Sequence, residues 1–300
     1  MEQGIRDRIE AIRRYLEETG ESQGSLARET GLSRTTISNV LLEKYNASYN
    51  DILSRCEDVI NRREEKRKLL FQAPEFIENS ITKKVAYALS NATSVHIPRI
   101  TVLYGESGIG KTKSLEEFIK YHPTAVLVKI RPDFIVSSIL REIAEPMGVS
   151  VQGSNYEITN RIINKLKSTG RVLIFDEAEY LSARSLDIIR RIHDEAQNPV
   201  VLVGMPKLYH NLVALRNGFE QIANRMISYN LNQPSVNDLE QIVQVCIPDV
   251  SDDVCSAYIE CSRGTIRTLL LLMQDMVNYE QDTGRKVTAG AIKNYVKTLH

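Results

Sequence analysis

The segment Gly105-Glu106-Ser107-Gly108-Ile109-Gly110-Lys111-Thr112 carries the spacing G-x-x-x-x-G-K-[ST] of a phosphate-binding P-loop. An apolar run at 100–104 precedes it and predicts a buried strand that leads into the loop. Backbone N–H groups of such a turn and of the following helix point toward a bound triphosphate. In this pattern Lys111 reaches the β- and γ-phosphates, and the hydroxyl of Thr112 holds Mg²⁺. We therefore predict a nucleoside triphosphate site whose nucleotide-binding residues are Gly105, Glu106, Ser107, Gly108, Ile109, Gly110, Lys111, Thr112 and Lys113.

A second apolar run, at 172–177, ends in two adjacent carboxylates. It reads Val-Leu-Ile-Phe-Asp-Glu, which is the form of a Walker B strand downstream of a P-loop. Successive side chains of a strand point to opposite faces, so the two acids can take different roles. We predict that Asp176 binds Mg²⁺ and that Glu177 polarises the water that attacks the terminal phosphate.

The composition indicates a globular chain of about two domains. Its 300 residues are 42% hydrophobic and 25% charged, with 38 basic and 38 acidic side chains. This balance excludes a whole-chain field that would attract nucleic acid or a membrane surface. The N-terminus is charged and amphipathic, unlike a signal peptide, and no apolar run reaches the roughly eighteen residues that span a bilayer. We expect a cytoplasmic protein with no membrane partner.

The cysteines and histidines do not predict a metal site. The four cysteines lack C-x-x-C spacing and matching histidines, which indicates free and mostly buried thiols. His193 stands beside Asp194 and Glu195 in a helical pattern, so we predict that it lies on a solvated helix face. The cysteines are Cys56, Cys246, Cys255 and Cys261.

Residues 23–41 have the spacing of a helix-turn-helix. Leu26 and Ala27 would lie inside the first helix, Gly31 would form the turn, Leu32 would be buried, and Ser33 would cap the second helix. The second helix then presents short polar side chains outward, where they suit phosphates and base edges in the major groove of DNA. The alternative is a small helical bundle for protein contacts. The predicted DNA-binding residues are Arg34, Thr35, Thr36, Ser38 and Asn39.

The charge of this N-terminal block limits its DNA affinity. Residues 1–73 hold thirteen basic and thirteen acidic side chains, so one copy would release few counterions. Useful affinity therefore requires many copies on one DNA. The charged run 61–68 fits either the solvated end of a helix or a linker.

From 99 to 231, strand and helix patterns alternate, which predicts a parallel sheet with helices on both faces. After Pro234 the pattern becomes entirely helical, with Ser235 and Thr288 in capping positions. The predicted strands are 100–104, 125–130, 171–176, 199–204 and 226–230. The predicted helices are 111–121, 133–145, 157–168, 183–196, 235–246, 251–262, 265–281 and 288–298.

Together these motifs resemble an AAA+ ATPase. The resemblance rests on the P-loop, the acidic pair, a fourth strand ending Val203-Gly204, an arginine before the fifth strand, and the segment Gly264-Thr265-Ile266-Arg267. With the helix-turn-helix added, the chain is similar to the phage Mu transposition protein B family of ATP-dependent target-DNA activators. The implied domains are a helix-turn-helix domain at 1–60, a linker at 61–73, the P-loop ATPase core at 74–231, and an all-α lid at 232–300.

The resemblance also implies roles for residues outside the two motifs. Arg267 matches the lid arginine that senses the γ-phosphate, and Phe76 and Ile77 match the segment that lines the adenine pocket. Arg225 falls where a neighbouring subunit would receive an arginine finger, and Arg216 is the alternative.

Two departures from the family pattern concern the rate of hydrolysis and DNA contact by the ATPase core. Met205 occupies the place after the fourth strand where AAA+ ATPases commonly have a polar residue that orients the attacking water, which implies slow hydrolysis. The basic stretch before the second motif is reduced to Arg161, Lys165 and Lys167. DNA contact by the ATPase core is therefore less expected than the fold.

The resemblance implies a switch that uses ATP and Mg²⁺. ATP binding would assemble subunits into an oligomer or helical filament on double-stranded DNA, and hydrolysis, stimulated by DNA or a transposase, would release them. Two alternatives are an ATP-sensing helix-turn-helix transcriptional regulator and an AAA+ helicase loader. A regulator would give a tight footprint of a dimer at one palindrome, and a loader would co-purify with a helicase.

Overall fold

A computed structural model describes residues 3–19, 22–45, 47–68, 73–94, 98–214 and 226–298. The chain divides into two compact units, 1–72 and 73–300. In the described ranges no helix is long and apolar enough to cross a membrane.

The N-terminal unit consists of four helices within its described residues. Its hydrophobic core includes Ile9, Leu26, Ile37 and Leu53, one from each helix. Residues 61–68 belong to the fourth helix. The sequence alone does not decide between a helix end and a linker for this segment. The helices are α1 (Gln3–Thr19), α2 (Gln23–Thr30), α3 (Arg34–Leu41) and α4 (Asn50–Lys68).

The turn between α2 and α3 has the predicted helix-turn-helix chemistry. Gly31 ends α2 in the left-handed conformation at φ 70°, which glycine adopts without a steric penalty. Ser33 then caps α3, because its Oγ accepts a hydrogen bond from the backbone N–H of Thr36 at 3.0 Å. Leu32, predicted to be buried, is only half-buried against the core.

The second unit is built on a five-stranded parallel sheet with the order β2-β3-β4-β1-β5. Alternate side chains enter two separate hydrophobic clusters, as Phe175 and Ile174 do in β3. Helices therefore cover both faces, and the predicted fold class is confirmed. The strands are β1 (Ile100–Tyr104), β2 (Val126–Lys129), β3 (Leu173–Asp176), β4 (Val200–Gly204) and β5 (Met226–Asn230).

Six helices connect or precede these strands within the described residues. Two of them were not predicted: one begins at Ser80 and the other follows β4 directly. The six are α5 (Ser80–Ser94), α6 (Lys111–Tyr121), α7 (Val136–Ala144), α8 (Asn155–Thr169), α9 (Ala183–Ala196) and α10 (Pro206–Ala214).

Four further helices follow β5, as the sequence predicts. Ser235 caps the first of them in a reciprocal capping box with Asp238. The Oγ1 of Thr288 accepts the N–H of Ala291 at 3.2 Å at the start of the last one. The helices are α11 (Val236–Cys246), α12 (Asp252–Cys261), α13 (Ile266–Thr283) and α14 (Ala289–Thr298).

The prediction for His193 is wrong. This side chain is 3% exposed, and its Nδ1 lies 2.6 Å from the carbonyl oxygen of Asn198, just before β4. His193 shares the buried stripe of α9 with Ile189 and Ala196 at helical spacing, whereas its charged sequence neighbours face away. The four cysteines are free thiols, and two of them, Cys56 and Cys255, are buried.

Candidate nucleotide-binding site

The sheet order brings the two sequence motifs to one edge of the sheet. In parallel strands the carboxyl ends lie together, and β4 runs between β3 and β1. The backbone N–H of Gly105 donates to the carbonyl of Gly204 at 3.1 Å, which joins the start of the P-loop to the end of β4. Asp176, at the end of β3, lies on the other side of β4.

The P-loop is anchored by one buried side chain between flexible glycines. Gly108 and Gly110 have φ angles of 77° and 98°, in the left-handed region that other residues adopt rarely. Ile109 between them is fully buried in a core cluster. Glu106 and Ser107 remain exposed at the mouth of the loop.

Lys111 begins α6, and its ammonium folds back over the loop. Nζ donates to the carbonyl oxygens of Gly105 and Glu106, each at 2.7 Å. Burial lowers the pKa of Lys111, while Glu179, Asp176 and Glu106 act in the opposite direction. A half-buried ammonium whose hydrogen bonds within the described residues go to neutral carbonyls favours an anion such as a phosphate.

Thr112 and Asp176 form a pair of oxygen donors beneath the loop. The Oγ1 of Thr112 donates to Oδ2 of Asp176 at 2.7 Å, and the N–H of Glu177 donates to Oδ1 at 2.9 Å. Burial raises the pKa of Asp176, although both hydrogen bonds oppose this shift. The carboxylate is 1% exposed. One hydroxyl and one carboxylate fit Mg²⁺, which takes few protein ligands and keeps phosphate oxygens and waters.

Glu177 adopts an uncommon backbone conformation just after Asp176. Its φ angle of 55° places a non-glycine residue in the left-handed region, at a cost of about 1 kcal/mol or more. Its carboxylate lies 3.3 Å from Nζ of Lys129, at the end of β2, and is 38% exposed. Strained residues of this kind cluster at functional sites.

The C-terminal helices contribute one arginine to the same loop. The backbone N–H of Arg267 donates to the carbonyl of Gly108 at 3.0 Å, and its Nη1 lies 3.5 Å from Oγ of Ser107. A Cβ atom at position 108 would stand 3.1 Å from Cβ of Arg267. The close approach of α13 therefore depends on Gly108.

A carboxylate to which the sequence assigned no role also reaches this edge. Glu179, in the turn after β3, accepts the backbone N–H of Met205 at Oε2 over a distance of 3.2 Å. Sequence spacing alone gives no sign of this contact, because it depends on β3 and β4 being neighbours in the sheet.

The segment before α5 is tied to the C-terminal helices. Phe76 and Ile77, predicted to line an adenine pocket, are half-buried. Both carboxylate oxygens of Asp238 accept hydrogen bonds from Ser80, at 2.8 Å from its N–H and 2.6 Å from its hydroxyl. Ser235 donates to the same carboxylate.

Lys113 is less closely associated with the site than Lys111 and Thr112. The ammonium of Lys113 pairs with Glu116 at 3.0 Å and is exposed. Arg225 and Arg216, the alternative arginine fingers, lie outside the described residues.

The predicted DNA-binding residues lie on the exposed side of α3 in the N-terminal unit. Arg34 and Thr35 are exposed, whereas Thr36, Ser38 and Asn39 are partly buried. The hydroxyl of Thr36 lies 2.8 Å from Oγ of Ser33, so it takes part in the helix cap.

Comparisons with known proteins place these features in context. A model described as an AAA domain matches residues 96–212, and the CENP-B N-terminal DNA-binding domain matches residues 5–46. The Mu-like prophage FluMu DNA transposition protein B of Haemophilus influenzae is 31% identical over 203 residues, covering 67% of this chain and 70% of that protein. The ATP-dependent target DNA activator B of Escherichia phage Mu is 26% identical over 232 residues, covering 74% and 72%.

Solved structures support the fold alone, because their sequence identities are low. The Aeropyrum pernix ORC2 protein in its ADP form has a TM-score of 0.56 and 14% identity, covering 77% of this chain and 72% of its own. The Thermotoga maritima RuvB Holliday junction branch migration motor has a TM-score of 0.51 and 18% identity, covering 73% and 68%.

Proposed function

The chain belongs to the family of Mu-like DNA transposition protein B, AAA ATPases that act in DNA transposition, and we propose that ATP assembles it on DNA. In this proposal the assembled protein presents double-stranded target DNA to a transposase, and ATP hydrolysis releases it. The target-DNA role is carried by the relative in phage Mu, whose name describes an ATP-dependent target DNA activator.

The observation that carries the proposal is the convergence of Lys111, Thr112, Asp176 and Arg267 around one loop. Lys111 and Arg267 supply positive charge where the β- and γ-phosphates would lie, and Thr112 with Asp176 would hold Mg²⁺. The metal would neutralise charge that develops on the phosphate oxygens.

Glu177 is the proposed acceptor of the proton from the attacking water. It follows the metal-site acid directly, and it is partly exposed toward solvent. Lys129 pairs with Oε1 of this carboxylate, and Oε2 would accept the proton.

We assign DNA contact to the N-terminal unit, and we attribute tight binding to the assembly of many copies. Arg34 and Thr35 stand exposed at the start of α3, where backbone and side-chain groups can meet phosphates. Because few basic groups per copy are available, we propose that tight binding arises from many copies held together by ATP. An arginine from a neighbouring subunit, Arg225 or Arg216, would complete each ATP site.

The test compares Lys111→Ala with the surface variant Lys286→Ala. Lys111→Ala should lose ATP binding, hydrolysis and ATP-dependent assembly, as measured with a fluorescent ATP analogue, phosphate release and light scattering on duplex DNA. Lys286→Ala should behave as wild type. Wild-type affinity for ATP in Lys111→Ala would contradict the proposed site. Binding of a dimer at one palindrome, independent of assembly, would favour a transcriptional regulator instead.

A further inference from the structure

The end of β4 lies between Asp176 and the P-loop. Asp176 ends the strand on one side of β4, and Gly105 follows the strand on the other side. The next side chain in the chain after β4 is Met205, which is apolar and 37% exposed. It can offer no hydrogen bond of useful strength to a water molecule at this place.

Glu179 brings a carboxylate to the end of β4 from the turn that follows the neighbouring strand β3. Its Oε2 accepts the N–H of Met205 at 3.2 Å. Within the described ranges no hydrogen bond is made by the other oxygen, Oε1. Glu179 is half-buried, so Oε1 remains available to a water molecule.

Gly204 makes this arrangement possible through its missing side chain. A Cβ atom at position 204 would collide with Oε2 of Glu179, and it would stand 3.1 Å from Cδ2 of Leu208. The carbonyl of Gly204 meanwhile accepts the N–H of Gly105. The Glu179 carboxylate thus packs directly against the backbone of Gly204, which is hydrogen-bonded to the first residue of the P-loop.

The charge of Glu179 also acts on the phosphate-binding lysine. Among the carboxylates that favour the charged form of Lys111, Glu179 has a larger effect than Asp176 or Glu106. Glu179 therefore acts at the same edge of the sheet as Lys111, from beside the end of β4.

We propose that Glu179 orients the attacking water from the β4 side, where Met205 offers no polar side chain. This inference rests on the proposed ATP hydrolysis. In that reaction the water oxygen forms a bond to the γ-phosphorus as the bond from this phosphorus to the bridging oxygen breaks. The electron pair leaves with ADP, and the water proton passes to Glu177. Glu179 keeps its own protonation state and accepts only a hydrogen bond.

The experiment measures ATP affinity and single-turnover hydrolysis in Glu179→Ala and Glu179→Gln. Glu179→Ala should bind ATP within about threefold of wild type and hydrolyse it roughly tenfold to a hundredfold more slowly, because misplaced water reacts poorly. Glu179→Gln keeps an acceptor oxygen and should retain more activity than Glu179→Ala.

Rescue separates an orienting role from a purely structural one. Met205→Asn restores a polar group at the end of β4, so Glu179→Ala/Met205→Asn should regain at least about threefold in rate over Glu179→Ala. The matched control Glu179→Ala/Met205→Leu should regain nothing. Thermal melting should confirm that all variants fold.

Four results would overturn the inference, and they point to three different errors. A wild-type rate in Glu179→Ala, or a loss of ATP affinity equal to its loss of rate, would remove the orienting role. Equal hydrolysis rates for Glu179→Ala/Met205→Asn and Glu179→Ala/Met205→Leu would mean that Glu179 only holds the backbone at Met205 in place. A wild-type protein that binds ATP but never hydrolyses it would contradict the proposed function as well.

Discussion

The nucleotide site and the N-terminal unit use charged side chains in opposite ways. At the P-loop, Lys111 and Asp176 make no ion pair with another described side chain and are held by neutral donors and acceptors. In the N-terminal unit, Arg8 binds Glu57 through two hydrogen bonds of 2.6 Å, and Nη2 of Arg13 lies 3.7 Å from Oε1 of Glu43.

This difference teaches where ligand affinity originates. Charges that lack an ionic partner inside the protein gain most from a charged ligand, whereas paired arginines have already met their partners. We therefore expect one copy to bind a nucleotide more readily than DNA. We propose that tight DNA binding requires the nucleotide-dependent assembly of many copies.

Removing the acid at Glu177 should give the largest effect. Glu177→Gln keeps the Asp176–Thr112 pair but cannot accept a proton, so hydrolysis should slow by about a hundredfold or more while ATP stays bound. If the nucleotide site controls DNA release, the lifetime on DNA should lengthen accordingly. Stopped-flow dissociation from labelled duplex would measure this lifetime, and faster dissociation than wild type would refute the assigned role.

Asp238 tests whether neutral hydrogen-bond donors stabilise an ionised carboxylate in the second unit. Burial opposes its ionisation, but the hydrogen bonds from Ser80 and Ser235 outweigh this and lower the pKa of Asp238 from 3.8 to about 2. Asp238→Asn should therefore lower the free energy of unfolding by about 2 kcal/mol at neutral pH. Urea unfolding would measure this difference.

The pH dependence of this difference has a defined sign. A lowered pKa contributes stability above 3.8, and this contribution is lost as the pH falls toward 2. The gap between wild type and Asp238→Asn should stay constant from pH 5 to 8 and shrink to about half near pH 3. A gap that grows as the pH falls would contradict the hydrogen-bonded carboxylate.

Arg8 gives the smallest expected effect, and it concerns stability. Arg8→Ala removes the bidentate pair with Glu57 and should lower the stability of the N-terminal unit by about 1 kcal/mol, since the pair is partly exposed. Arg14→Ala, an exposed arginine on the same helix, should change stability little. DNA affinity that falls equally in both variants would mean that α1 contacts DNA.

The local motifs were open to prediction because they are short and contiguous. The P-loop, the acidic pair and the caps of α3 and α11 each depend on neighbouring residues, and their positions follow from spacing. Glu179 was missed because its partner Met205 becomes a neighbour only through the pairing of β3 with β4. His193 was misassigned because its charged neighbours suggested solvent, whereas the helical period places it on the buried stripe.

The most direct test of a nucleotide-dependent DNA affinity is the salt dependence of duplex binding by the full chain, with and without ATP. Without nucleotide, binding should be weak, and the logarithm of the binding constant should fall gently with the logarithm of the salt concentration. With ATP and Mg²⁺, affinity should rise and the slope should steepen as copies assemble, and Lys111→Ala with ATP should match the nucleotide-free protein. Equal affinity and slope in all three conditions would contradict control of DNA binding by the nucleotide site.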